Sequence, residues 1–529
     1  MQMNADACYR ALRTRDARFD GQLFVGVTTT GVYCRPICPA RTPKREHVRF
    51  FPTAAAAQDA GFRPCLRCRP ETAPDLAAWR GTSNTVARAL SLIELGGLDE
   101  ADVDTLAGRL GVGERQLRRL FRVHLGASPI AVAQTRRVLL AKQLVHETTL
   151  PMSEVALASG FGSIRRFNET FQRLFGRPPG ALRRIGRGAA SPSRGEVSLK
   201  LRYKPPYDWP AMLAFLQARA IRGIEVVDGD NYTRTIAIDG THGTVAVRPG
   251  AGHTLRVTVR FPTLSALPAI IARVRRQFDL SADPQAIAEQ LSEDPALAPL
   301  VAARPGLRVP GAWDAFELAV RAVLGQQVTV GAAIKLAGQI VVAHGEPLVI
   351  DGGPMEGLTH VFPSPERLAA LNPAKLPMPR ARASALTSLA RAVDADPHLF
   401  RIGRDLDEVV SDLRALDGVG EWTAQYIAMR ALREPDAFPS ADLGLLRAMA
   451  GPDGRRPTAH ELLARAERWR PWRAYAAQHL WMAGSLPARH KLAAGASSAA
   501  DGRSMRRPTV RKVEPARRQS DPAIQNASR

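Results

Sequence analysis

The sequence predicts a multidomain protein of the α+β class, and three observations lead to that prediction. The chain has 529 residues, whereas a single hydrophobic core stops growing at about 250 to 300 residues. All five cysteines fall within residues 1–78, which marks a small α/β domain of its own. Apolar residues alternate in short runs over some parts of the chain and recur at helical spacing over others. We therefore expect several domains with different proportions of sheet and helix.

The domain organisation follows changes in composition and in apolar spacing. Strand-like runs such as "QLFVGVTTTGVYC" precede a region of helical spacing, and a second group of strand-like runs precedes another helical region. The Gly/Ser/Pro-rich stretch "IGRGAASPSRGE" separates the two halves. The last segment has almost no large apolar residues, so we expect a disordered basic tail. The predicted segments are a small α/β domain at 1–78, an all-α domain at 82–185, a linker at 186–196, an α+β domain at 197–284, a mainly helical domain at 285–491 and the tail at 492–529.

The charge balance points to a polyanionic partner. The chain carries 73 Lys and Arg residues against 50 Asp and Glu, a formal net charge of +23, and an excess of this size favours nucleic acid. No run approaches the 18 or so uninterrupted apolar residues of a membrane-spanning helix, and the first residues lack the apolar core of a signal peptide. We therefore expect a cytoplasmic protein that binds nucleic acid and no membrane.

Four of the five cysteines form two closely spaced pairs. Cys34 and Cys38 are separated by three residues, and Cys65 and Cys68 by two. Cytosolic thiols are kept reduced, so paired cysteines there indicate a metal site or a catalytic thiol more often than a disulfide. The spacing is typical of a four-thiolate zinc site; the alternative is a set of unrelated thiols. Cys8 falls outside the pattern, and we expect it to be an ordinary free thiol.

The residues around these cysteines resemble a known family. The stretches "FDGQLFVGVTTTGVYCRPICPARTPKREHVRFF" and "AGFRPCLRCRPE" are similar to the N-terminal domain of the Ada adaptive-response proteins, over about residues 5–72. The resemblance implies that the four cysteines hold one Zn²⁺. It also implies that Cys34 is the nucleophile of a suicide methyltransferase, which accepts a methyl group from a methylated DNA phosphate.

The chemistry of a zinc thiolate is consistent with this resemblance. Zinc holds a bound sulfur as thiolate, the nucleophilic form, at neutral pH. Four thiolates on a divalent ion carry a formal charge of about −2, and methylation of one leaves about −1, so repulsion from DNA phosphates falls. Basic residues near the cysteines are candidate phosphate contacts, with an ordinary solvated face as the alternative. They are Arg35, Lys44, Arg45, Arg63, Arg67 and Arg69.

One helical pattern occurs twice in the second segment. Ala107 and Gly111 in the first copy correspond to Ala156 and Gly160 in the second, and an Arg-rich helix follows each pair. The pattern is typical of a helix-turn-helix motif, although a pair of core helices also produces it. Residues 84–185, ending in "FQRLFGRPPGALRR", resemble the double helix-turn-helix of AraC-type regulators. The order of the domains is that of the Ada family's transcription activators, which implies RNA polymerase as a partner. The implied DNA readers are Arg115, Gln116, Arg118, Arg119, Ser163, Arg165, Arg166 and Asn168.

The C-terminal half carries a third resemblance. The stretch "LDGVGEWTAQYIAMRALREPDAFPSADLGLL" places a Gly-Val-Gly turn, whose amides suit a phosphate, about twenty residues before Asp442. With "RPGLRVPGAWDAFELAVRAVLGQQVTV" and "RWRPWRAYAAQHLWMAG", residues 197–487 resemble the AlkA-type DNA glycosylases of the helix-hairpin-helix superfamily. The resemblance implies a TBP-like α+β domain at 197–284 and Asp442 as the catalytic carboxylate. It implies a base pocket of Phe215, Trp422, Tyr426 and Trp481. It also implies a wedge near Gln326 and Gln327, with further DNA contacts at Gly418, Gly420 and Thr423.

One carboxylate is sufficient for the reaction that this resemblance implies. An N-alkylated purine carries positive charge and leaves without being protonated, so the protein has to stabilise the oxocarbenium-like sugar and guide water. Aromatic walls favour a cationic base by about 0.5 to 2 kcal/mol per contact; plain core packing is the alternative interpretation of these rings. Glu421 and Trp422 follow the turn, where bifunctional relatives carry a Schiff-base lysine, so we expect no strand cleavage. The lack of cysteine after Cys68 excludes an iron–sulfur cluster and a second methyl acceptor.

Taken together, the three resemblances imply an alkylation-damage response protein. It would combine a methyl-accepting sensor, a transcription activator and a monofunctional DNA-3-methyladenine glycosylase that excises 3-methyladenine and 7-methylguanine. Two alternatives stay open. In the first, the C-terminal half only grips DNA and the protein is a methylation-responsive regulator. In the second, the N-terminal half is a zinc-stabilised DNA anchor that transfers no methyl group.

Overall fold

The computed structural model describes residues 4–73, 84–99, 101–183, 196–350, 355–396, 399–400, 406–451 and 453–484. The predicted tail at 492–529 lies outside the described residues, as does the predicted linker except for Glu196. Within the described ranges, none of the helices combines the length and the apolar character that a membrane span needs.

The N-terminal domain is a small sheet with two helices. Its elements are α1 (Ala5–Thr14), β1 (Phe24–Val27), β2 (Val32–Cys34), β3 (Val48–Phe51), α2 (Ala54–Asp59) and β4 (Arg63–Pro64). The strand order is β3-β1-β2-β4, in which β1 pairs antiparallel with β2 and β3 while β2 pairs parallel with β4. Asn4 and Thr53 cap the two helices through their side-chain oxygens. The sheet confirms the predicted small α/β domain and brings the ends of β2 and β4 side by side.

The second region is all helical, as the sequence predicts. Its elements are α3 (Asn84–Glu94), α4 (Val103–Arg109), α5 (Glu114–Leu125), α6 (Pro129–Glu147), α7 (Met152–Ala158) and α8 (Ile164–Phe175). The repeated pattern falls at the turns between α4 and α5 and between α7 and α8. Gly111 and Gly160 have φ of +70° and +83° there, a conformation that glycine adopts without strain. Ala107 and Ala156 are buried beneath these turns. Two helix-turn-helix units therefore flank the long helix α6.

The third region is a five-stranded antiparallel sheet with two helices. Its elements are β5 (Glu196–Arg202), α9 (Trp209–Gln217), β6 (Glu225–Asp228), β7 (Asn231–Ile238), β8 (Thr241–Gly250), β9 (Thr254–Arg260) and α10 (Leu267–Gln277). The strand order is β5-β9-β8-β7-β6. One apolar cluster contains both sheet residues such as Leu199 and Val257 and helix-turn-helix residues such as Leu144 and Phe171. The two halves of the chain thus share a core across the predicted linker.

The last region is mainly helical. Its elements are α11 (Pro284–Leu291), α12 (Ala298–Ala303), α13 (Ala315–Leu324), α14 (Val330–His344), β10 (Glu346–Pro347), β11 (His360–Val361), α15 (Pro365–Ala369), α16 (Arg380–Ala395), α17 (Leu406–Arg414), α18 (Glu421–Arg430), α19 (Leu443–Ala448), α20 (Ala459–Ala466) and α21 (Arg473–Gly484). A single large apolar cluster forms the core of this region. Helices α17 and α18 form a hairpin, and α19 packs against α21. This packing brings α18, the start of α19 and α21 to one place, although they are separated in sequence.

Candidate functional site

The four paired cysteines meet at one end of the N-terminal sheet. Cys34 ends β2, and Cys65 follows β4, its parallel neighbour. The four sulfur atoms lie within 4.8 Å of one another, and all four residues are buried. Tetrahedral zinc thiolate sites have Zn–S distances of about 2.3 Å, which places the sulfurs roughly 3.8 Å apart. The donor atoms and the dimensions of the cluster therefore fit Zn²⁺ held by Cys34, Cys38, Cys65 and Cys68.

Backbone amides support this cluster. The N–H groups of Arg35 and Arg67 donate to Sγ of Cys68 and of Cys65, each at 3.3 Å. Donors directed at sulfur favour the thiolate, which is the form that binds a metal. Cys8 belongs to a separate apolar cluster, where burial raises the pKa of its thiol. The structure thus places Cys8 outside the metal centre, as the spacing indicates.

The predicted phosphate contacts near the cluster divide into exposed and internal side chains. Arg35 is only 2% exposed; its Nε donates to Oδ1 of Asp20 at 2.7 Å and its Nη1 to the carbonyl of Cys68 at 3.2 Å. A buried and paired guanidinium is not available to DNA, so the prediction for Arg35 is corrected: this side chain braces the metal site from inside. The side chains that are exposed and stay candidates are Lys44, Arg45 and Arg67.

A buried ion-pair network joins the metal-site loop to α6. Nζ of Lys142, a fully buried residue of α6, donates to Glu71 at 2.5 Å and to the carbonyl of Cys65 at 2.9 Å. Arg69 pairs with Glu71 and also with Glu147 at the end of α6. Burial lowers the pKa of Lys142, and the adjacent Glu71 opposes that effect. The loop that carries two of the four cysteines is therefore fixed to the helix between the two helix-turn-helix units.

The predicted DNA readers lie on the second helix of each unit. Helix α5 buries Leu117 and Phe121, and α8 buries Phe167 and Phe171. The opposite faces are exposed, as a recognition helix requires. Ser163 also caps α8 by accepting a hydrogen bond from the N–H of Arg166 at 3.2 Å. All eight predicted readers are exposed there, namely Arg115, Gln116, Arg118, Arg119, Ser163, Arg165, Arg166 and Asn168.

The turn between α17 and α18 is built as the sequence predicts. Gly418 has φ of +78°, and a Cβ at this position would lie 2.4 Å from Cβ of Ala385, so only glycine fits. Gly420 is the N-cap of α18, whose first N–H groups point out of the helix end. Thr423 is 3% exposed and its hydroxyl accepts a hydrogen bond from Nε2 of Gln326 at 3.2 Å. Its side chain is therefore internal, and only its N–H remains a candidate DNA contact.

The two predicted wedge residues take different roles. Gln326 turns inward, and its Nε2 also donates to the carbonyl of Gly418 at 2.7 Å. Nη2 of Arg382 donates to the carbonyl of Gln326 at 2.6 Å, which fixes the backbone at this point. Gln327 is exposed and has φ of +56°, a left-handed conformation that is uncommon for glutamine. Gln327 therefore stays a candidate wedge residue, whereas the side chain of Gln326 is hydrogen-bonded to the hairpin at Gly418 and Thr423.

Asp442 lies between two tryptophans. It is the N-cap of α19, and its Oδ1 accepts the N–H of Leu445 at 3.0 Å. Nε1 of Trp422 donates to Oδ2 at 2.8 Å, and Nε1 of Trp481 donates to Oδ1 at 2.8 Å. Both carboxylate oxygens are thus oriented by indoles from α18 and α21, and the side chain is partly exposed. Such an arrangement fixes a negative charge where a positive charge can develop on a substrate.

The four predicted pocket aromatics gather beside this carboxylate. The rings of Trp422 and Tyr426 stack with centroids 5.1 Å apart, and Trp481 meets Tyr426 edge-on at 6.4 Å. The Arg430 guanidinium contacts Tyr426, Trp481 and Phe215 at 5.1, 5.4 and 4.4 Å from the ring centroids. Phe215 therefore belongs to this aromatic group.

Sequence reasoning missed three residues of this site. Gly444 is close to the carboxylate, since a Cβ there would lie 2.9 Å from Oδ1 of Asp442. Arg219 and Arg430 contact the pocket rings. One signal could have found both arginines, because each stands four residues after a pocket aromatic. Arg430 therefore shares a face of α18 with Tyr426, and Arg219 follows Phe215 by about one turn, just past the end of α9.

Comparison with known proteins gives three family matches along the chain. The family described as "Metal binding domain of Ada" matches residues 7–71, the "Helix-turn-helix domain" family matches residues 106–185, and the "AlkA N-terminal domain" family matches residues 198–314. These matches follow the predicted order of domains. They confirm the predicted fold classes and identify the four-cysteine centre as the zinc site of an Ada-type domain.

Three curated relatives cover different parts of the chain. A protein of Mycobacterium tuberculosis named "Probable bifunctional transcriptional activator/DNA repair enzyme AlkA" is 43% identical over 91% of this chain and 97% of its own length. "DNA-3-methyladenine glycosylase 2" of Escherichia coli is 39% identical over 53% of this chain and 95% of its own length. "Bifunctional transcriptional activator/DNA repair enzyme Ada" of Escherichia coli is 37% identical over 25% of this chain and 36% of its own length.

The first relative covers nearly the whole chain, whereas the second covers about half of it and the third about a quarter. The roles of individual residues stay predictions, because these matches concern whole domains. The chain therefore belongs to the family of bifunctional transcriptional activator/DNA repair proteins in which an Ada-type zinc domain and a helix-turn-helix domain are fused to an AlkA-type glycosylase domain.

Proposed function

We propose that the C-terminal half is a monofunctional DNA glycosylase that excises alkylated purines, the 3-methyladenine and 7-methylguanine class, from double-stranded DNA. The observation that carries this proposal is Asp442, held by Trp422 and Trp481 beside the stacked Tyr426. A module that only gripped DNA would gain nothing from two indole donors on a partly exposed carboxylate. The similarity to a DNA-3-methyladenine glycosylase over 95% of that protein supports the choice of substrate.

The proposed reaction is a hydrolysis at the sugar. The C1′–N bond breaks with its electron pair going to the cationic base, which leaves as a neutral molecule. Asp442 stabilises the positive charge that develops on the sugar. Water adds to C1′, and its proton passes to the carboxylate and from there to solvent. Glu421 and Trp422, which begin α18, offer no amine to form a Schiff base with the sugar.

The glycosylase proposal is tested by release of methylated bases from alkylated duplex DNA. We expect release by the wild-type protein and by Asp230→Asn, an exposed control in the turn between β6 and β7, but not by Asp442→Asn. All three proteins should bind the duplex. Equal release by Asp442→Asn and wild type would remove Asp442 from the reaction, and DNA binding without release by the wild type would favour the DNA-gripping regulator.

We further propose that Cys34 accepts a methyl group from a DNA methylphosphotriester. When bound, zinc keeps the sulfur as thiolate. The sulfur electron pair of Cys34 forms the bond to the methyl carbon, the O–CH₃ bond breaks, and the phosphodiester leaves as an anion. The cysteine becomes a thioether that nothing in the reaction regenerates, so each molecule acts once. Methylation also lowers the negative charge of the site, which favours the approach of exposed side chains such as Lys44 and Arg67 to phosphates.

Peptide mass spectrometry after incubation with methylated DNA tests the methyl transfer. The peptide that contains Cys34 should gain the mass of one methyl group, and Cys34→Ser should gain none. Cys8 serves as an internal control, because it is a buried thiol outside the cluster. An unmodified Cys34 would reduce the N-terminal domain to a zinc-stabilised DNA anchor.

The helix-turn-helix region supports a proposal of transcription activation. The eight predicted readers face solvent on α5 and α8, and the Mycobacterium tuberculosis relative is named as a transcriptional activator. We propose that methylated protein binds promoter DNA through these helices and recruits RNA polymerase. Since both substrates are chromosomal, the proposed place of action is the nucleoid in the cytoplasm. Footprinting with methylated and unmethylated protein tests the promoter step.

A further inference from the structure

Two guanidinium groups lie against the pocket aromatics. Arg430 is 2% exposed, and two of its nitrogens are engaged, since Nη1 donates to the carbonyl of Pro310 at 2.9 Å and Nη2 to Oε1 of Gln478 at 3.0 Å. Arg219, just after α9, is half-buried and its guanidinium carbon lies 3.9 Å from the ring centroid of Phe215. Arg430 is therefore fixed inside the domain, whereas Arg219 lies at the border of the pocket and solvent.

Tyr426 connects the two arginines. Burial raises the pKa of the Tyr426 hydroxyl, but the positive charges of Arg430 and Arg219 outweigh burial, so this pKa lies below its ordinary value. An acidified phenol is a stronger hydrogen-bond donor than an ordinary tyrosine. The backbone around Arg219 is fixed separately, because Nη1 of Arg321 donates to its carbonyl at 2.8 Å. The backbone from which the guanidinium extends is thus held by α13.

These contacts change what the aromatic walls can select. A cation beside an aromatic face gains about 0.5 to 2 kcal/mol, but Phe215 and Tyr426 already contact guanidinium groups of the protein. A second cation, on the base, meets repulsion from these charges as well as attraction to the rings. Positive charge on the base is therefore a weaker basis for selection here than the aromatic residues alone suggest.

Hydrogen-bond acceptors on the base offer a basis for selection that its positive charge does not. Guanidinium has five N–H donors and no acceptor, and the fork suits an oxygen with two lone pairs. A base with a carbonyl oxygen on its exposed edge, such as O6 of 7-methylguanine, complements these donors. The amino group of 3-methyladenine at the corresponding position is itself a donor and cannot accept a hydrogen bond from these groups, and a donor left unpaired in a partly desolvated site is costly.

We propose that Arg219 is a specificity-determining residue, whose guanidinium acts with the Tyr426 hydroxyl to donate hydrogen bonds to a carbonyl oxygen of the flipped base. This inference rests on the proposed glycosylase function. It predicts that Arg219 contributes more to the excision of oxo-purines such as 7-methylguanine than to that of amino-purines such as 3-methyladenine.

The test measures both bases in one reaction. Duplex DNA treated with a methylating agent contains 3-methyladenine and 7-methylguanine, and chromatography separates the released bases. For Arg219→Gln we expect release of 7-methylguanine to fall roughly 10- to 100-fold, the range for loss of a hydrogen bond from a charged donor. Release of 3-methyladenine should change less than about threefold. Arg222→Gln, an exposed arginine three residues further on, should leave both rates unchanged.

Each other outcome has a distinct meaning. A parallel fall in both bases would make Arg219 a structural support of Phe215 and would overturn the specificity role. Unchanged rates for both bases would overturn it as well. Absence of release by the wild-type protein would contradict the proposed function itself. Circular dichroism of Arg219→Gln shows whether the variant is folded, and Tyr426→Phe gives the same ratio test from the other donor.

Discussion

The indole nitrogen of Trp481 lies 2.8 Å from Oδ1 of Asp442, although 39 residues separate the two in sequence. Trp422 donates to the other carboxylate oxygen at the same distance from a third segment of the chain. Two large, rigid side chains thus determine the direction of one small one. The orientation of the carboxylate therefore depends on how α18, α19 and α21 pack in the helical domain.

The first prediction concerns this hydrogen bond. Trp481→Phe keeps a ring in the pocket and removes the indole N–H from Asp442. We expect base release to slow roughly 10- to 100-fold, because hydrogen bonds to charged groups contribute about 1.5 to 3 kcal/mol, while binding of the duplex changes little. The measurement is single-turnover release of 7-methylguanine and 3-methyladenine.

The control for Trp481→Phe is Trp472→Phe, an aromatic residue nearby on the same segment whose ring packs on Tyr475. It should retain most of the activity. If Trp481→Phe is as active as the wild type, Trp481 is a packing residue and the indoles do not orient the carboxylate for catalysis.

The second prediction concerns the buried pair of Lys142 and Glu71. Lys142→Met leaves Glu71 buried, with Arg69 as its remaining ion-pair partner among the described residues. Breaking a buried ion pair costs about 3 to 5 kcal/mol. We expect the thermal transition that releases zinc to move to lower temperature. The double variant Lys142→Met with Glu71→Leu removes both charges and should recover most of the loss. Equal stability of Lys142→Met and wild type would contradict the network.

Local patterns along the chain predict much of the fold and of the candidate sites. Residues whose roles depend on tertiary contacts could not be predicted in this way. The spacing of Cys34 and Cys38 and the left-handed turn at Gly418 can be predicted, because each constraint acts within a few residues. Lys142 lies 71 residues from Glu71, and nothing in the amphipathic pattern of α6 indicates that a lysine there is buried. The same applies to Arg35, whose basic character predicted a DNA contact although Asp20 holds it inside.

The third prediction is a pH dependence of stability. His479 on α21 is 5% exposed, and burial lowers its pKa to about 4 from an ordinary value of 6.5. The unfolded chain therefore takes up a proton before the folded one does. The stability contributed by the neutral imidazole is present above pH 6.5, is lost as pH falls towards 4, and amounts to about 3 kcal/mol. The melting temperature should depend less on pH between pH 4 and pH 7 in His479→Gln than in the wild type. An equal dependence on pH in the two proteins would contradict this assignment.

The fourth prediction concerns the metal. A chelator that removes zinc should unfold the N-terminal domain, because the four cysteines within 4.8 Å of one another lose the metal bonds that link the end of β2 to the loop after β4. Metal analysis should give one zinc per chain for the wild type and for Cys8→Ser, and none for Cys65→Ser. Base release should survive chelation, since Asp442 and its partners lie on separate helices. Full zinc content in Cys65→Ser would remove that residue from the ligand set.

The last prediction concerns Gln327. Its backbone is held in a left-handed conformation at φ +56°, while hydrogen bonds to Arg382 and to the carbonyl of Gly418 fix the preceding residue, Gln326. Strain of this kind, about 1 to 3 kcal/mol, persists where the position has a role. We expect Gln327→Ala to slow base release from duplex DNA several-fold, because the side chain fills the gap left by the flipped nucleotide and flipping costs a few kcal/mol. Release from single-stranded DNA, where no stack has to be opened, should be unaffected.

Gln285→Ala, on α11, is the matched control and should behave as the wild type on both substrates. If Gln327→Ala slows both substrates equally, the residue acts in catalysis or folding rather than as a wedge, and a duplex rate equal to that of the wild type would show that the strained glutamine has no part in opening the helix.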